Sequence, residues 1–315
     1  MSSLVDQSPN SSILILSSAF FLVTFLIVVT GATGLLGKAT AEHLVRQGHE
    51  VISIDRREGE CAKGSKLVVG DLTNLDFCDS VIAGADGVAH LGAIPNPTDA
   101  RQFEVFKNNS VSTFAVFTAA AQAEVKTVVY ASSLSAYGFA YSDEWTSPLY
   151  APVDEAHPFI FEESYALSKE VNERSALMWS RRCETAFVGM RFPWTNTPEK
   201  TLELARRFND EDYLPPDPRF PKGIVAKILW TYLDLRDAVK AIEIVLQSNI
   251  KGSHVYNFAA PDIMAKAPTM ELMQKFHPKT EIRSPLPGHS APLSSQAFVD
   301  TFGYAPEFLI NRDDI

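Results

Sequence analysis

The run Val28-Val29-Thr30-Gly31-Ala32-Thr33-Gly34-Leu35-Leu36-Gly37 constrains the fold more than any other stretch of the chain. Gly31, Gly34 and Gly37 fall three apart directly behind the aliphatic run Leu26 to Val29. Leu35, Leu36, Ala39, His43 and Leu44 then continue at helical spacing. This is the order strand, glycine turn, amphipathic helix. Glycine at the first position lets the chain turn sharply, at the second lets backbone N–H groups approach a pyrophosphate, and at the third lets helix pack on strand. The helix N-terminus adds partial positive charge for an anion. Gly31, Thr33, Gly34, Leu35, Leu36 and Gly37 are therefore the candidate phosphate-binding residues. The following strand ends at Asp55, about 20 residues on, where an acid can hydrogen-bond an adenosine ribose. That acid favours NAD, because a carboxylate repels an extra 2′-phosphate; Arg56 and Arg57 leave NADP as the alternative.

The same strand limits what the apolar start of the chain can be. Ile13 to Val29 carries no charge and sits at the lower edge of the roughly 17–25 residues a bilayer span needs. If its last residues form a buried strand, Ile13 to Phe25 is too short to span. The residues before Ile13 include Asp6 and no Lys or Arg, which does not fit a signal peptide. Residues 1–24 read as an apolar N-terminal extension dispensable for the fold. The 315 residues are 46% apolar and 21% charged, enough for one large core or two lobes. A formal charge of −10 repels polyanions, so it supports neither nucleic-acid nor anionic-membrane binding and leaves a small-molecule substrate. Three cysteines without a C-x-x-C pair suggest neither disulfides nor thiolate zinc and fit a reducing, cytoplasmic setting. Seven histidines without H-x-x-x-H or H-E-x-x-H spacing give no metal site. The proline-rich Tyr213 to Pro221 reads as a loop.

Strand patterns recur. "KLVVGDL" reaches Asp71, "DGVAHLGA" ends near Leu91-Gly92-Ala93, and "KTVVYASS" ends at Ser132-Ser133, with a helix over Phe103 to Ala123. Alternating strands and helices imply an α/β fold with a doubly wound parallel sheet. Ligands of such sheets gather at the carboxyl ends of the strands, which puts Gly31, Asp55, Asp71, Gly92 and Ser133 on one rim. Tyr165 and Lys169 lie four apart on one helical face after the fifth strand. A phenol ionises near pH 10, and a neighbouring ammonium stabilises its phenolate, which makes Tyr165 a proton acceptor. Tyr-x-x-x-Lys alone is a common chance match; its position behind Ser133 gives it weight.

Taken together, "TGATGLLG", Asp71-Leu72, "HLGA", Asn109 in "NNSVST", "YASSLSAYG", "YALSK" and "YLDLRDA" resemble the extended short-chain dehydrogenase/reductases, in their NAD-dependent epimerase/dehydratase branch. The motifs follow the family order from about Leu26 to Pro306. The resemblance implies a Rossmann-like lobe over residues 25–190 and a smaller C-terminal substrate-binding lobe over 191–315, with segments returning to the first. It implies that Ser133, Tyr165 and Lys169 are catalytic, with Asn109 a supporting polar residue. It also implies cofactor contacts from the glycine bend, Asp55, Arg56, Asp71, Leu72, Leu91, Gly92, Ala93, Asn109, Tyr165, Lys169, Phe192 and Pro193. A homodimer through the long helices at Phe103 and Tyr165 is a further family expectation.

Two departures narrow the activity. Dehydratases of this family place Asp-Glu after the serine or threonine, where this chain has Leu134-Ser135; sugar-nucleotide epimerases continue Arg-Tyr-Phe-Asn, where it has Arg191-Phe192-Pro193-Trp194. The expected activity is hydride transfer at a secondary alcohol or hemiacetal carbon of a sugar or sugar acid. The alternatives are a UDP-sugar 4-epimerase and a non-catalytic dinucleotide-sensing regulator. The loop Phe139 to Pro158 carries Tyr141, Trp145 and Tyr150, placed either over the pocket to stack on a sugar ring or in surface packing. His90 reads as a structural neighbour of the cofactor, Asp154-Glu155 as a solvated pair, and Asp237 as a helix N-terminal cap with a tertiary hydrogen bond.

Overall fold

The computed structural model describes residues 24–97, 101–210 and 224–315. The extension before Thr24 and the Tyr213–Pro221 loop lie outside the described residues. In chain order the first half comprises β1 (Leu26–Thr30), α1 (Leu35–Arg46), β2 (Glu50–Asp55), β3 (Lys66–Val69), α2 (Leu75–Ile82), β4 (Gly87–His90), α3 (Gln102–Gln122) and β5 (Thr127–Ser133). A 3-10 turn over Leu134–Tyr137 leads to β6 (Tyr150–Ala151), α4 (Ser164–Trp179), β7 (Ala186–Phe192), β8 (Trp194–Asn196), α5 (Pro198–Asn209) and α6 (Ile224–Lys227). Then come β9 (Tyr232–Asp234), α7 (Leu235–Gln247), β10 (Ser253–Asn257), α8 (Thr269–Phe276), β11 (Glu281–Ile282) and α9 (Gln296–Phe302).

Seven strands form one parallel sheet in the order β10-β7-β5-β4-β1-β2-β3. The order reverses between β1 and β4, which opens a crevice at their carboxyl ends. β1 is apolar from Leu26 to Val29 because helices cover both faces of the sheet. Ile27 and Val29 pack with Ala41 and Leu44 of α1 and with Ala241, Ile242 and Val245 of α7. Val28, pointing the other way, packs with Ile82 of α2, Val116 and Phe117 of α3 and Ala176 of α4.

A second core begins where β5 ends. Tyr137 and Phe139 join Phe208, Trp230, Tyr232, Met264, Leu272, Met273 and Leu293 in a separate buried cluster. Two small parallel pairs, β8 with β9 and β6 with β11, frame it. β9 is only three residues long, because Leu229 and Trp230 ahead of it form a turn with φ of 58° and 55°. The cap of α7 is Asp234, whose side chain accepts from Arg236 N–H. Asp237, read as that cap, is instead fully buried in the first turn, where it accepts from Tyr304 Oη at 2.6 Å and from the N–H groups of Glu307 and Phe308. It ties the C-terminal segment to the sheet. Among the described residues no helix is long and apolar enough to cross a membrane, and no His/Cys/Asp/Glu group could hold a metal ion.

Candidate active site

A cleft of about 590 Å³ follows the carboxyl ends of the strands. Every candidate site residue named above lines it except Thr33 and Asn109. The glycine bend has no room for side chains. Gly31 adopts φ +68°, and a Cβ there would sit 2.7 Å from Gly92 Cα; one on Gly37 would sit 2.1 Å from the Gly31 carbonyl oxygen. At Gly34 the nearest obstacle is the Gly31 oxygen at 3.2 Å, and no side chain caps the start of α1. Leu35 and Leu36 begin that helix at the cleft wall. These features fit a pyrophosphate seated against uncapped N–H groups.

At the outer end Asp55 is held rather than free. Its carboxylate accepts from Thr33 N–H at 3.1 Å, Thr33 Oγ1 at 2.7 Å and Arg57 N–H at 3.3 Å. Burial would raise its pKa, but those hydrogen bonds outweigh it and keep the group below the usual carboxylate range. Thr33 thus acts behind the wall, through Asp55. Asp71 uses Oδ1 to accept Thr73 N–H at 2.9 Å, shaping the turn that presents Leu72.

The Leu91-Gly92-Ala93 loop rests on Thr30, His90 and Thr113, none of them among the candidate site residues. Thr30 Oγ1 accepts from Leu91 N–H at 3.1 Å and from Gly92 N–H at 3.0 Å. With both lone pairs used, its proton goes to His90 Nδ1 at 2.9 Å, so the imidazole proton lies on Nε2 and is donated to Thr113 Oγ1 at 3.0 Å. Burial, followed by the nearby Lys169 charge, lowers the His90 pKa to about 3 and keeps the ring neutral. Thr30 opens "TGATGLLG" and Thr113 closes "NNSVST", but nothing in their spacing shows that the two meet through His90.

At the inner end, β5 brings Ser133 beside α4, which carries Tyr165 and Lys169. Ser133 lies close enough to the Tyr165 phenol to favour its ionised form, and its Oγ accepts from Ser135 N–H at 3.1 Å. Lys169 Nζ donates to the Ala131 carbonyl at 2.6 Å and lies 5.3 Å from the centre of the Tyr165 ring. The electrostatics differ from the sequence expectation. Burial pushes the Tyr165 phenol well above its ordinary value, Ser133 opposes this, and Tyr141 and Glu163 add to it. Burial also pulls the Lys169 ammonium down to about 8, against the pull of Glu173. Glu163 caps α4, accepting from the N–H groups of Tyr165 and Ala166, and so fixes the start of the helix under the phenol.

Asn109 is buried away from the cleft wall. Its amide clamps the Ile94 backbone, accepting from N–H at 2.8 Å and donating to C=O at 3.0 Å, which anchors the loop to α3. Beyond β7, Phe192, Pro193 and the half-exposed Trp194 form one wall. Of the loop aromatics only Tyr141 reaches the cleft, its ring edge-on to Tyr165 with centroids 6.2 Å apart. Trp145 donates to the Phe276 carbonyl, and Tyr150 donates to Asp154 at 2.6 Å beneath Arg283, so both serve packing. Asp154 and Glu155 are likewise engaged; Glu155 accepts Asn257 N–H at 2.7 Å. Sequence reasoning missed Ser132, Glu173 and Arg191. Glu173, four residues after Lys169 on α4, had the helical spacing that could have revealed it.

The sheet order, the glycine bend and the inner Ser-Tyr-Lys group define a class: a doubly wound α/β protein that receives a long anionic ligand across its strand ends. Residues 27–259 match the NAD dependent epimerase/dehydratase family, and the chain belongs to that family. It is 30% identical over 182 residues to an L-arabinose 1-dehydrogenase (NAD(P)(+)) of Haloferax volcanii, a match covering 56% of this chain and 70% of that one. A UDP-glucose 4-epimerase of Streptomyces lividans is 30% identical over 152 residues, 45% of this chain and 44% of the relative. A short-chain dehydrogenase/reductase superfamily protein from Agrobacterium tumefaciens, crystallised with bound NAD, superposes with a TM-score of 0.69 at 24% identity, covering 92% and 94% of the two chains. At that identity the likeness is one of fold.

Proposed function

We propose that this chain is an NAD(P)-dependent oxidoreductase that transfers hydride from a secondary alcohol or hemiacetal carbon of a free sugar or sugar acid. One observation carries the reading: Ser133, Tyr165 and Lys169 meet at the inner end of the same cleft that the glycine bend opens. The dinucleotide fits the residues present. Gly31, Gly34, Gly37 and the start of α1 would hold its pyrophosphate, Asp55 and Arg56 the adenosine ribose, Leu72 and Leu91 to Ala93 the neighbouring walls, and Lys169 the second ribose. Phe192 and Pro193 would pack beside the ring. Bound NAD+ supplies the hydride-accepting carbon and the positive charge that a buried phenol needs to act as an acceptor.

In this reading Tyr165 takes the proton of the substrate hydroxyl while Ser133 donates a hydrogen bond that orients it. Asn109 acts through the backbone of Ile94, as a positioning residue. The substrate lobe is the second core cluster. Among the described residues, the lysines and arginines lining the cleft are Arg56 and Arg57, at the Asp55 end, and Lys169. Tyr141 and Trp194 supply ring-stacking surface on the substrate side, which suits an uncharged sugar better than a nucleotide diphosphate. The similarity to an L-arabinose 1-dehydrogenase supports the same choice.

The second reading, a UDP-sugar 4-epimerase, is favoured by the similarity to the UDP-glucose 4-epimerase. The two separate in one assay. Net NADH or NADPH absorbance with free aldoses and uronic acids supports the first; interconversion of UDP-glucose and UDP-galactose without net reduced cofactor establishes the second. Dinucleotide binding with neither reaction would return the chain to a sensing role. A cytoplasmic, dimeric enzyme completes the proposal.

A further inference from the structure

One buried ion pair touches all the segments that build the inner site. Glu173 and Arg191 are only 7% and 5% exposed at their side chains and meet through two bonds, Nε to Oε1 at 2.9 Å and Nη2 to Oε2 at 2.7 Å. Glu173 lies one turn beyond Lys169 on α4, and Arg191 immediately precedes Phe192 on β7. Glu173 Oε1 also accepts from Ser132 Oγ at 2.6 Å. On its other side Arg191 Nη1 donates to Tyr137 Oη at 2.7 Å, with its guanidinium 4.8 Å from the centre of that ring. Ser132 and Tyr137 bracket Ser133 and its 3-10 turn. Tyr137 also meets Asn257 Oδ1 at 2.8 Å, which carries the network to β10.

We propose that the Glu173–Arg191 pair is a positioning device that brackets Ser133, holding Ser132 and Tyr137 to α4 and β7 so that the serine hydroxyl meets the Tyr165 phenol. The inference rests on reading Ser133 and Tyr165 as the reacting pair; neither Glu173 nor Arg191 lines the cleft. A buried pair of this kind is weak evidence for stability, because replacing both partners with apolar residues is often neutral or stabilising, whereas removing one leaves an uncompensated charge. That asymmetry makes the bracket testable apart from folding. A bidentate fork is also something lysine cannot reproduce.

The experiment compares the full chain with the double variant Glu173→Leu/Arg191→Met and with Arg191→Lys. It measures backbone hydrogen exchange over residues 133–138 and turnover of whichever substrate the absorbance screen identifies. The bracket predicts tenfold or faster exchange at 133–138 and a kcat roughly 10- to 100-fold lower, as expected when a reacting group is misplaced by about 1 Å. Unchanged exchange in a folded variant overturns the proposal whatever happens to kcat, and faster exchange with parental kcat overturns it equally. If the double variant does not fold, Arg191→Lys, which keeps the charge and loses the fork, is judged by the same two measurements. If the parent turns over no substrate, the functional reading fails, while the exchange result still decides whether the bracket exists.

Discussion

Tyr165 shows how far one side chain's chemistry depends on residues distant in sequence. Ile94, Val105 and Tyr141 enclose it, and this burial raises the phenol against the help it receives from Ser133. Tyr165→Phe is expected to lower turnover by roughly two to four orders of magnitude, because it removes the proposed proton acceptor and little packing. Cofactor affinity, followed by titration calorimetry, should stay within a few-fold of the parent; unchanged turnover would remove the phenol from the reaction. Lys169 gives a second prediction, about stability. Burial lowers its folded pKa to about 8 from an unfolded value of 10.5, so between those values the unfolded chain binds more protons and stability rises with pH. Below pH 8 the folded protein carries a disfavoured buried charge. Lys169→Met should therefore be more stable than the parent in urea at pH 7, with the advantage shrinking by pH 10.5. A constant difference across that range would show that the ammonium is not strained. The Tyr-x-x-x-Lys spacing was legible in the sequence. The direction of the phenol's pKa was not, because it is set by burial under Ile94, Val105 and Tyr141.

Among elements, β1, β4 and α3 are joined by the Thr30–His90–Thr113 chain, which also holds up the Leu91-Gly92 loop. The first five strands and the helix α1 were readable from pattern, since those strands are apolar runs and α1 carries its apolar residues at helical spacing. This cross-link was not, because threonine and histidine in such runs carry no spacing signature. It has a pH consequence. His90 has a folded pKa near 3 against 6.5 unfolded, so the unfolded chain binds the extra proton in that interval and stability falls as the solution is acidified from 6.5 toward 3. His90→Gln, which keeps a donor and an acceptor without a titrating ring, should lose less melting temperature between pH 6.5 and 4 than the parent does. Parallel melting curves for the two proteins would mean that His90 does not contribute to acid sensitivity.

For the molecule as a whole, the glycine bend and the sheet order locate one end of the cleft, and that much follows from the order of elements in the sequence. The other end is closed by β7, β8 and the turn after β5, which come from separate parts of the chain, so its shape could not be read from local patterns. The outer surface gives a further clue to assembly. Phe103, Val111 and Phe114 of α3 are 69%, 43% and 45% exposed, and Leu167 and Leu177 of the adjacent α4 are 38% and 37% exposed. They recur at helical spacing along the outer side of the α3–α4 pair, opposite the side that covers the sheet. Exposed apolar side chains grouped on one helix pair fit the proposed dimer, in which a twofold axis across them would pack α3 and α4 against their own copies. The prediction is that the protein has twice the chain mass by light scattering at micromolar concentration. Phe103→Asp/Phe114→Glu should halve it, since burying two carboxylates in such a seam is strongly unfavourable. Because those side chains point away from the cleft, the monomeric variant should still bind NAD+; a parent that already runs at single-chain mass would remove the dimer from the proposal.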